Sequence, residues 1–319
     1  MSQTSNATVG ATVRPALSPS TLPGGALSAV AGAFAIWGLF PLYLVGLANI
    51  SAVEITAHRV VWSCVFVLGL LAVRRELGGL SAAVARPGVL IRLSATSLLL
   101  TCNWLAFVWA VNQNHVVDVS LGYYINPLVN VVLGILVLSE RLNRVQWVAV
   151  ALAAAGVAYL TLRTGQFPWV ALVLAFSFGL YGLIRKVVNV AALPGLAIEM
   201  VMLTPFALGY LIWCEMSGTA ALGHTGLFVN VLLVFSGVVT ATPLFLFSFG
   251  ARQIPYSTVG ILQYIAPTLQ LACAVFVLGE PFPRTRLIGF SLIWLALIVY
   301  AADGLVRARR QRLTVALST

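Results

Sequence analysis

Residues 119–144 read VSLGYYINPLVNVVLGILVLSERLNR, and residues 259–284 read VGILQYIAPTLQLACAVFVLGEPFPR. Aligned without a gap, Tyr124, Ile125 and Pro127 meet Tyr264, Ile265 and Pro267. Leu138 and Glu140 meet Leu278 and Glu280, and Arg144 meets Arg284. Each copy is a long apolar run with a proline near its middle and a glutamate at its far end, so one helix design is used twice. In the first copy Tyr123, Asn126 and Asn130 stand at i, i+3 and i+7, which is one helix face. In the second, Gln263 and Gln270 take the places of Tyr123 and Asn130. A polar face inside an apolar helix is costly in lipid, so it turns toward protein or a water-filled cavity. Interhelical hydrogen bonding is one reading. A lined pathway is the favoured one, because the stripe recurs in register.

Working outward, 61% of the 319 residues are hydrophobic and 8% are charged, a composition that excludes a soluble domain of this size. The apolar runs have the length that crosses a bilayer. Ten spans are expected, over residues 26–47, 51–73, 89–111, 116–139, 145–162, 167–186, 195–214, 227–249, 256–278 and 286–305. Residues 1–25, rich in Ser, Thr, Pro and Gly, read as a disordered tail without the basic start and apolar core of a signal peptide. Residues 306–319 read as a basic tail. The net charge of +10 belongs to membrane orientation and not to nucleic acid, because the basic residues gather in the connections. With the N-terminus inside, fourteen of the 18 Lys and Arg residues fall on the cytoplasmic side and three on the outer side, with Arg59 inside a span. Cytoplasmic loops collect such residues, so both termini are expected in the cytoplasm of a cell whose inner membrane the chain crosses. Cys64, Cys102, Cys214 and Cys273 all sit in apolar runs without paired spacing and read as apolar fillers.

The repeat extends beyond the opening stretch. Trp37-Gly-Leu-Phe40 is similar to Phe178-Gly-Leu-Tyr181, and Glu54 opens span two much as Glu199 opens span seven. The chain therefore divides into residues 26–162 and 163–305, five spans each. An odd number of spans per unit forces the units into opposite orientations, the inverted repeat of transporters that alternate access around a midplane site. The expected fold is an all-α integral membrane protein of ten transmembrane helices in two inverted five-helix repeats.

Several longer stretches carry a family resemblance: Trp37-Gly-Leu-Phe-Pro41, Glu54-Ile-Thr-Ala-His58-Arg59, Asn103-Trp104, Trp109-Ala-Val-Asn112, Ser120-Leu-Gly-Tyr-Tyr-Ile-Asn-Pro127 and Gln263-Tyr-Ile-Ala-Pro267. Together they resemble the RarD branch of the EamA family, in the drug/metabolite transporter superfamily, over residues 26–305. The resemblance implies a bacterial inner-membrane protein of two EamA units and a name linked to chloramphenicol sensitivity, without an agreed substrate. Val45 departs from a lysine often found in relatives, and Ala266 from a glycine.

Candidate functional residues form two groups. Trp37, Asn103, Trp104, Tyr123, Tyr124, Asn126, Asn130, Tyr181, Gln263, Tyr264 and Gln270 bring flat rings and amides from spans one, three, four, six and nine. Rings beside amides suit a neutral or zwitterionic organic solute. Glu54 and His58 share a face at i, i+4, with Arg59 beside them and Glu199 at the matching place in the other half. They read either as a proton relay or anion contact, or as a structural ion pair. Pro127 and Pro267 each remove a helix hydrogen bond and are candidate hinges or static kinks. Glu140 and Glu280 read as structural charges at helix ends, offset by Arg144 and Arg284 or by the start of the next helix. Ala149, Ala153 and Gly156 mark a tight helix contact. His115 and Asp118 lack a third metal ligand, and nucleotide and hydrolase signatures are absent. The expected function is thus a secondary transporter, not an enzyme, exporting a small metabolite or drug-like molecule by alternating access, with proton coupling as an option. No metal or cofactor is expected, and the partners are a small-molecule solute and the bilayer. An uncoupled carrier or channel is the alternative, ahead of an intramembrane enzyme or a structural membrane protein.

Overall fold

The computed structural model describes residues 24–113, 116–163, 168–279 and 284–318. Glu280, His115 and residues 1–23 of the expected tail lie outside the described residues. Ten described helices are long and apolar enough to cross a membrane. Span one is Gly24–Val45, two Ala52–Val73, three Pro87–Asn112, four Val116–Leu136 and five Arg144–Leu162. Span six is Trp169–Val187, seven Ala192–Met216, eight Leu227–Ala251, and nine runs in pieces from Tyr256 to Val277. Span ten begins at Arg284 and continues to Ser318, so the basic tail 306–318 prolongs a helix. Most of these bounds lie within three residues of the sequence expectation, because each apolar run must satisfy its own backbone in lipid.

The ends are closed by local chemistry. Asn143 accepts from the Gln146 backbone while the Gln146 side chain accepts from the Asn143 N–H, a reciprocal cap that starts span five. Gly218, at φ +67°, follows the last turn of span seven, the left-handed position that glycine adopts without a Cβ clash. The connection between spans two and three holds a short helix that the sequence reading did not separate, Leu77–Val84. Gly78 and Gly79 hide it, since glycine is a poor helix former. Its Ala83 joins Val89, Leu93, Val188, Val190 and Ile198 in a small apolar cluster.

Spans pack in pairs: four against six, five against ten, two against seven and eight, one against eight and nine, nine against four, and three against six and seven. Exchanging spans one to five for spans six to ten maps each pairing onto another or onto itself. Small residues allow the closest approaches. A Cβ on Gly237 would run into the Trp62 carbonyl carbon, and one on Gly250 would lie 2.5 Å from the Ala26 oxygen. Ala149 and Ala153 are buried, and Gly156 faces the Gly289 carbonyl across spans five and ten, the small-residue contact expected there. Trp147, Trp169 and Trp213 are about half exposed on the outside of the bundle.

Candidate functional site

Span nine supplies the centre. Pro267 has no N–H, and its ring occupies the space where the Gln263 carbonyl would accept. The helix accordingly stops at Gln263, turns at Tyr264 and resumes at Ile265. It ends in a π-helical stretch, Cys273–Val277. Span four runs unbroken through Pro127. Gly260 approaches so near that a Cβ there would lie 2.5 Å from the Pro127 oxygen. The two repeated helices therefore meet near their prolines, but only one of them breaks.

Beside this contact lies a cavity of about 120 Å³, large enough for a few waters. Of the sequence candidates, Trp37, Arg59, Asn103, Trp104, Tyr123, Asn126, Gln263, Pro267 and Gln270 line it. Phe34, Phe40, Phe107 and Phe178 complete its aromatic wall, with Thr240 opposite. Phe40 and Phe178 belong to the repeated stretches 37–40 and 178–181, whereas Phe34 and Phe107 escape a sequence reading because they are indistinguishable there from lipid-facing ones. Asn126 and Gln263 are buried, whereas Tyr123, Phe107, Phe40 and Gln270, nearer the Glu54 end of the bundle, are half-buried. On the other side the lining gives way to fully buried Tyr181, Met200, Phe247 and Tyr256.

The polar contacts are specific. Asn103 donates to the Leu174 carbonyl at 3.0 Å and the Ser177 hydroxyl at 2.9 Å. Gln270 donates to the Trp37 carbonyl at 3.2 Å. Arg59 donates through Nε to Thr240 Oγ1 at 2.9 Å. Its guanidinium carbon lies 4.9 Å from the Phe40 ring centroid and 5.1 Å from that of Trp104, within cation–π range.

Eight candidates lie off the cavity lining. Asn130 is fully buried and donates to Gln263 Oε1 at 2.6 Å, so it joins spans four and nine directly instead of facing Gln263 across water. Tyr124 turns edge-on to Phe290 of span ten, and Tyr264 donates to the Tyr124 carbonyl. Pro127 is inside the contact with Gly260. Tyr181 is fully buried and stacks on Phe247 at 6.3 Å.

Glu54, His58 and Glu199 also stand apart, in two buried clusters at opposite ends of the bundle. At one end the Glu54 carboxylate accepts from the Ala221 N–H at 2.6 Å and lies 3.8 Å from His58 Nε2. An ion pair between Glu54 and Arg59 is not formed. At the other end Glu199 accepts from Thr96 at 2.6 Å and Tyr181 at 3.4 Å, and stands 3.6 Å from Arg185 Nε. Arg185 also donates to Ser248 and the Ala192 carbonyl. The sequence reading placed Arg185 among cytoplasmic loop charges; it is 1% exposed, inside the protein. Glu140 is structural as expected, but its partner is not Arg144. Its two oxygens accept from the Tyr256 and Ser257 backbone N–H groups, at the N-terminus of span nine, where a carboxylate is favoured.

Ten described apolar spans around a central cavity of rings, amides and one guanidinium define a polytopic membrane protein. Comparison with known proteins specifies the family: the chain matches the EamA-like transporter family twice, over residues 23–162 and 168–302, and belongs to it. It is 47% identical over 278 residues to an uncharacterised transporter of Pseudomonas aeruginosa, covering 87% of this chain and 93% of that one. It is 41% identical over 286 residues to Protein RarD of Escherichia coli, covering 90% and 96%. A solved crystal structure aligns with a TM-score of 0.67 at 16% identity, over 86% of this chain and 96% of the other, a likeness of fold alone. The chain is thus a membrane transporter and not an enzyme, a multi-pass protein of the bacterial inner membrane.

Proposed function

We propose that the chain is a secondary transporter that carries a small organic solute through the Trp37–Asn126–Gln263 cavity by alternating access. The observation that carries this reading is the cavity itself: it lies where the broken span nine meets span four, half-buried toward one end and sealed by Tyr181, Met200 and Tyr256 toward the other. The positive-inside rule puts the half-buried end outside and both termini in the cytoplasm. The working direction is export, which uptake into everted vesicles tests, since export there points inward.

Glu54 and His58 supply a contact between the start of span two and the connection after span seven. With the carboxylate taken by the Ala221 amide, this geometry favours a latch over a proton relay. If it is a latch, Glu54→Gln leaves any response of transport to an imposed pH gradient intact; loss of that response with normal insertion restores the relay.

A thermal-shift screen of the purified protein identifies a solute, because a ligand of the folded state raises its melting temperature. Counterflow then decides between a carrier and a channel. Preloading proteoliposomes with unlabelled solute should accelerate uptake of labelled solute. Rapid equilibration with no such acceleration would mean a channel.

A further inference from the structure

We propose that the solute is an organic anion, an acidic group on an aromatic or flat apolar body, with Arg59 as the group that selects its charge. The inference rests on the transport reading of the cavity and names the substrate class for it.

Arg59 lies seven residues into span two, roughly 10 Å along the helix at 1.5 Å per residue. Its side chain lines the cavity. A guanidinium has five N–H donors and no acceptor, and stays charged. Among the described residues its one hydrogen bond goes to the Thr240 hydroxyl. Two ring faces, Phe40 and Trp104, lie beside it. Among the described residues lining the cavity there is no Asp or Glu. The nearest carboxylate in sequence, Glu54, is held by Ala221 and stands beside His58. Arg59 is half-buried, and a cation partly withdrawn from water without a counter-charge is costly; other charged groups inside the bundle do have such partners. Arg185 faces Glu199 at 3.6 Å, and Glu140 faces a helix N-terminus. Arg59 is therefore the one lining position left for an incoming negative charge.

The remaining wall fits the rest of such a molecule. Trp37, Phe40, Trp104, Phe107, Tyr123 and Phe178 surround the space, and rings prefer offset or edge-on neighbours. The amides of Asn126 and Gln263 offer neutral hydrogen-bonding groups at the base. A cationic solute would meet Arg59 with no lining carboxylate to compensate, so the site selects against it by charge repulsion. Carboxylate, sulfonate and phosphate ester share the recognised chemistry, since each offers the oxygens that a guanidinium fork grips.

The test uses four probes of one shape and different charge: 2-naphthoate, 2-naphthalenesulfonate, neutral 2-naphthamide and cationic 2-naphthylmethylammonium. Binding to the purified full-length protein is read by tryptophan fluorescence, with Trp37 and Trp104 at the site, and by melting temperature. The two anions should bind at least about tenfold more tightly than the amide, as for a hydrogen bond to a charged group, and the cation should not bind. Arg59→Gln should bring anion and amide to equal affinity, and Arg59→Lys should keep part of the preference. Equal binding of amide and anion by the wild-type protein overturns the proposal, as does failure of all four to bind; neither readout needs a variant to fold. Retention of the anion preference in folded Arg59→Gln overturns the role of this residue. Repeating the titration with phosphatidylglycerol present separates solute from lipid: competitive loss of naphthoate binding assigns the charge to a lipid headgroup and overturns the solute. Charge-selective binding without counterflow would refute the carrier cycle alone, and counterflow without charge selection would refute the anion site alone.

Discussion

At the scale of single residues, the charges inside the bundle separate into those matched by an opposite charge or a helix end and the half-buried Arg59, which meets the Thr240 hydroxyl and two ring faces. Arg185 and Glu199 are 1% and 0% exposed, and removing one partner leaves the other buried and uncompensated. Glu199→Ala should destabilise the protein by about 3 kcal/mol, the lower end of the range for breaking a buried pair, because Ser248 and the Ala192 carbonyl still hold Arg185. Melting in detergent checks this. The double variant with Arg185→Met should be more stable than Glu199→Ala, since an apolar pair has no unpaired charge. Glu140 makes a different prediction: Glu140→Ala uncaps span nine, at a cost of roughly 1 kcal/mol, and should speed hydrogen exchange at the Tyr256 and Ser257 amides. Unchanged exchange would mean that those N–H groups find another acceptor. Residue type and period alone reach only part of this. Tyr123, Asn126 and Gln263 are legible because a polar side chain inside an apolar helix needs a reason. The Arg185–Glu199 pair is not, because it is made by packing between spans six and seven, and Arg185 stands where an apolar run ends.

At the scale of elements, the repeated prolines show how context divides identical motifs. Pro127 and Pro267 remove the same hydrogen bond, yet only span nine breaks. Span four is gripped on both sides of its proline by span six. Gly122 lies against Leu174, and Gly179 lies against Val129. Span nine is likewise packed by span one, with Gly38 against Leu269 and the Ala266 carbonyl, but it lines the cavity at its proline and turns at the buried Tyr264. It follows that Pro267→Ala should restore the Gln263 carbonyl bond and join the two helical pieces. Hydrogen exchange should slow over residues 263–268, and transport should fall with little loss of stability. Pro127→Ala should change exchange much less, because its helix is already continuous. The reverse order would remove the break in span nine from the mechanism. A second element-scale expectation concerns the contact of spans two and eight. Gly237→Ala pushes a methyl group into the Trp62 carbonyl, where backbone cannot yield as a side-chain tip can. It should cost about 1–3 kcal/mol as overpacking, seen as a lower melting temperature.

At the scale of the whole molecule, the pairing of spans is unchanged when the first five are exchanged for the last five, while the buried clusters are not alike. One end is tied by Glu54 and Ala221; the other has Glu199, Arg185, Thr96 and Tyr181 beneath the cavity. A carrier with two inverted halves closes one end as it opens the other; on the alternating cycle proposed above, the cluster beneath the cavity is the contact that would yield to reach the opposite state. This makes a graded accessibility experiment decisive. In a background with Cys64, Cys102, Cys214 and Cys273 replaced, Tyr123→Cys and Gln270→Cys should react with a membrane-impermeant thiol reagent added to whole cells. Asn130→Cys and Met200→Cys should not, since both positions are fully buried. Adding Glu199→Gln weakens the lower contact, and Met200→Cys should then become reactive in everted vesicles while labelling of Gln270→Cys from outside declines. The coupled change in opposite directions is the signature of alternation. If Met200→Cys gains reactivity and Gln270→Cys keeps all of its own, both ends are open together and the protein is a channel. If neither position responds in a folded Glu199→Gln variant, the Arg185–Glu199 cluster is a static part of the core, and the moving contact lies elsewhere in the bundle.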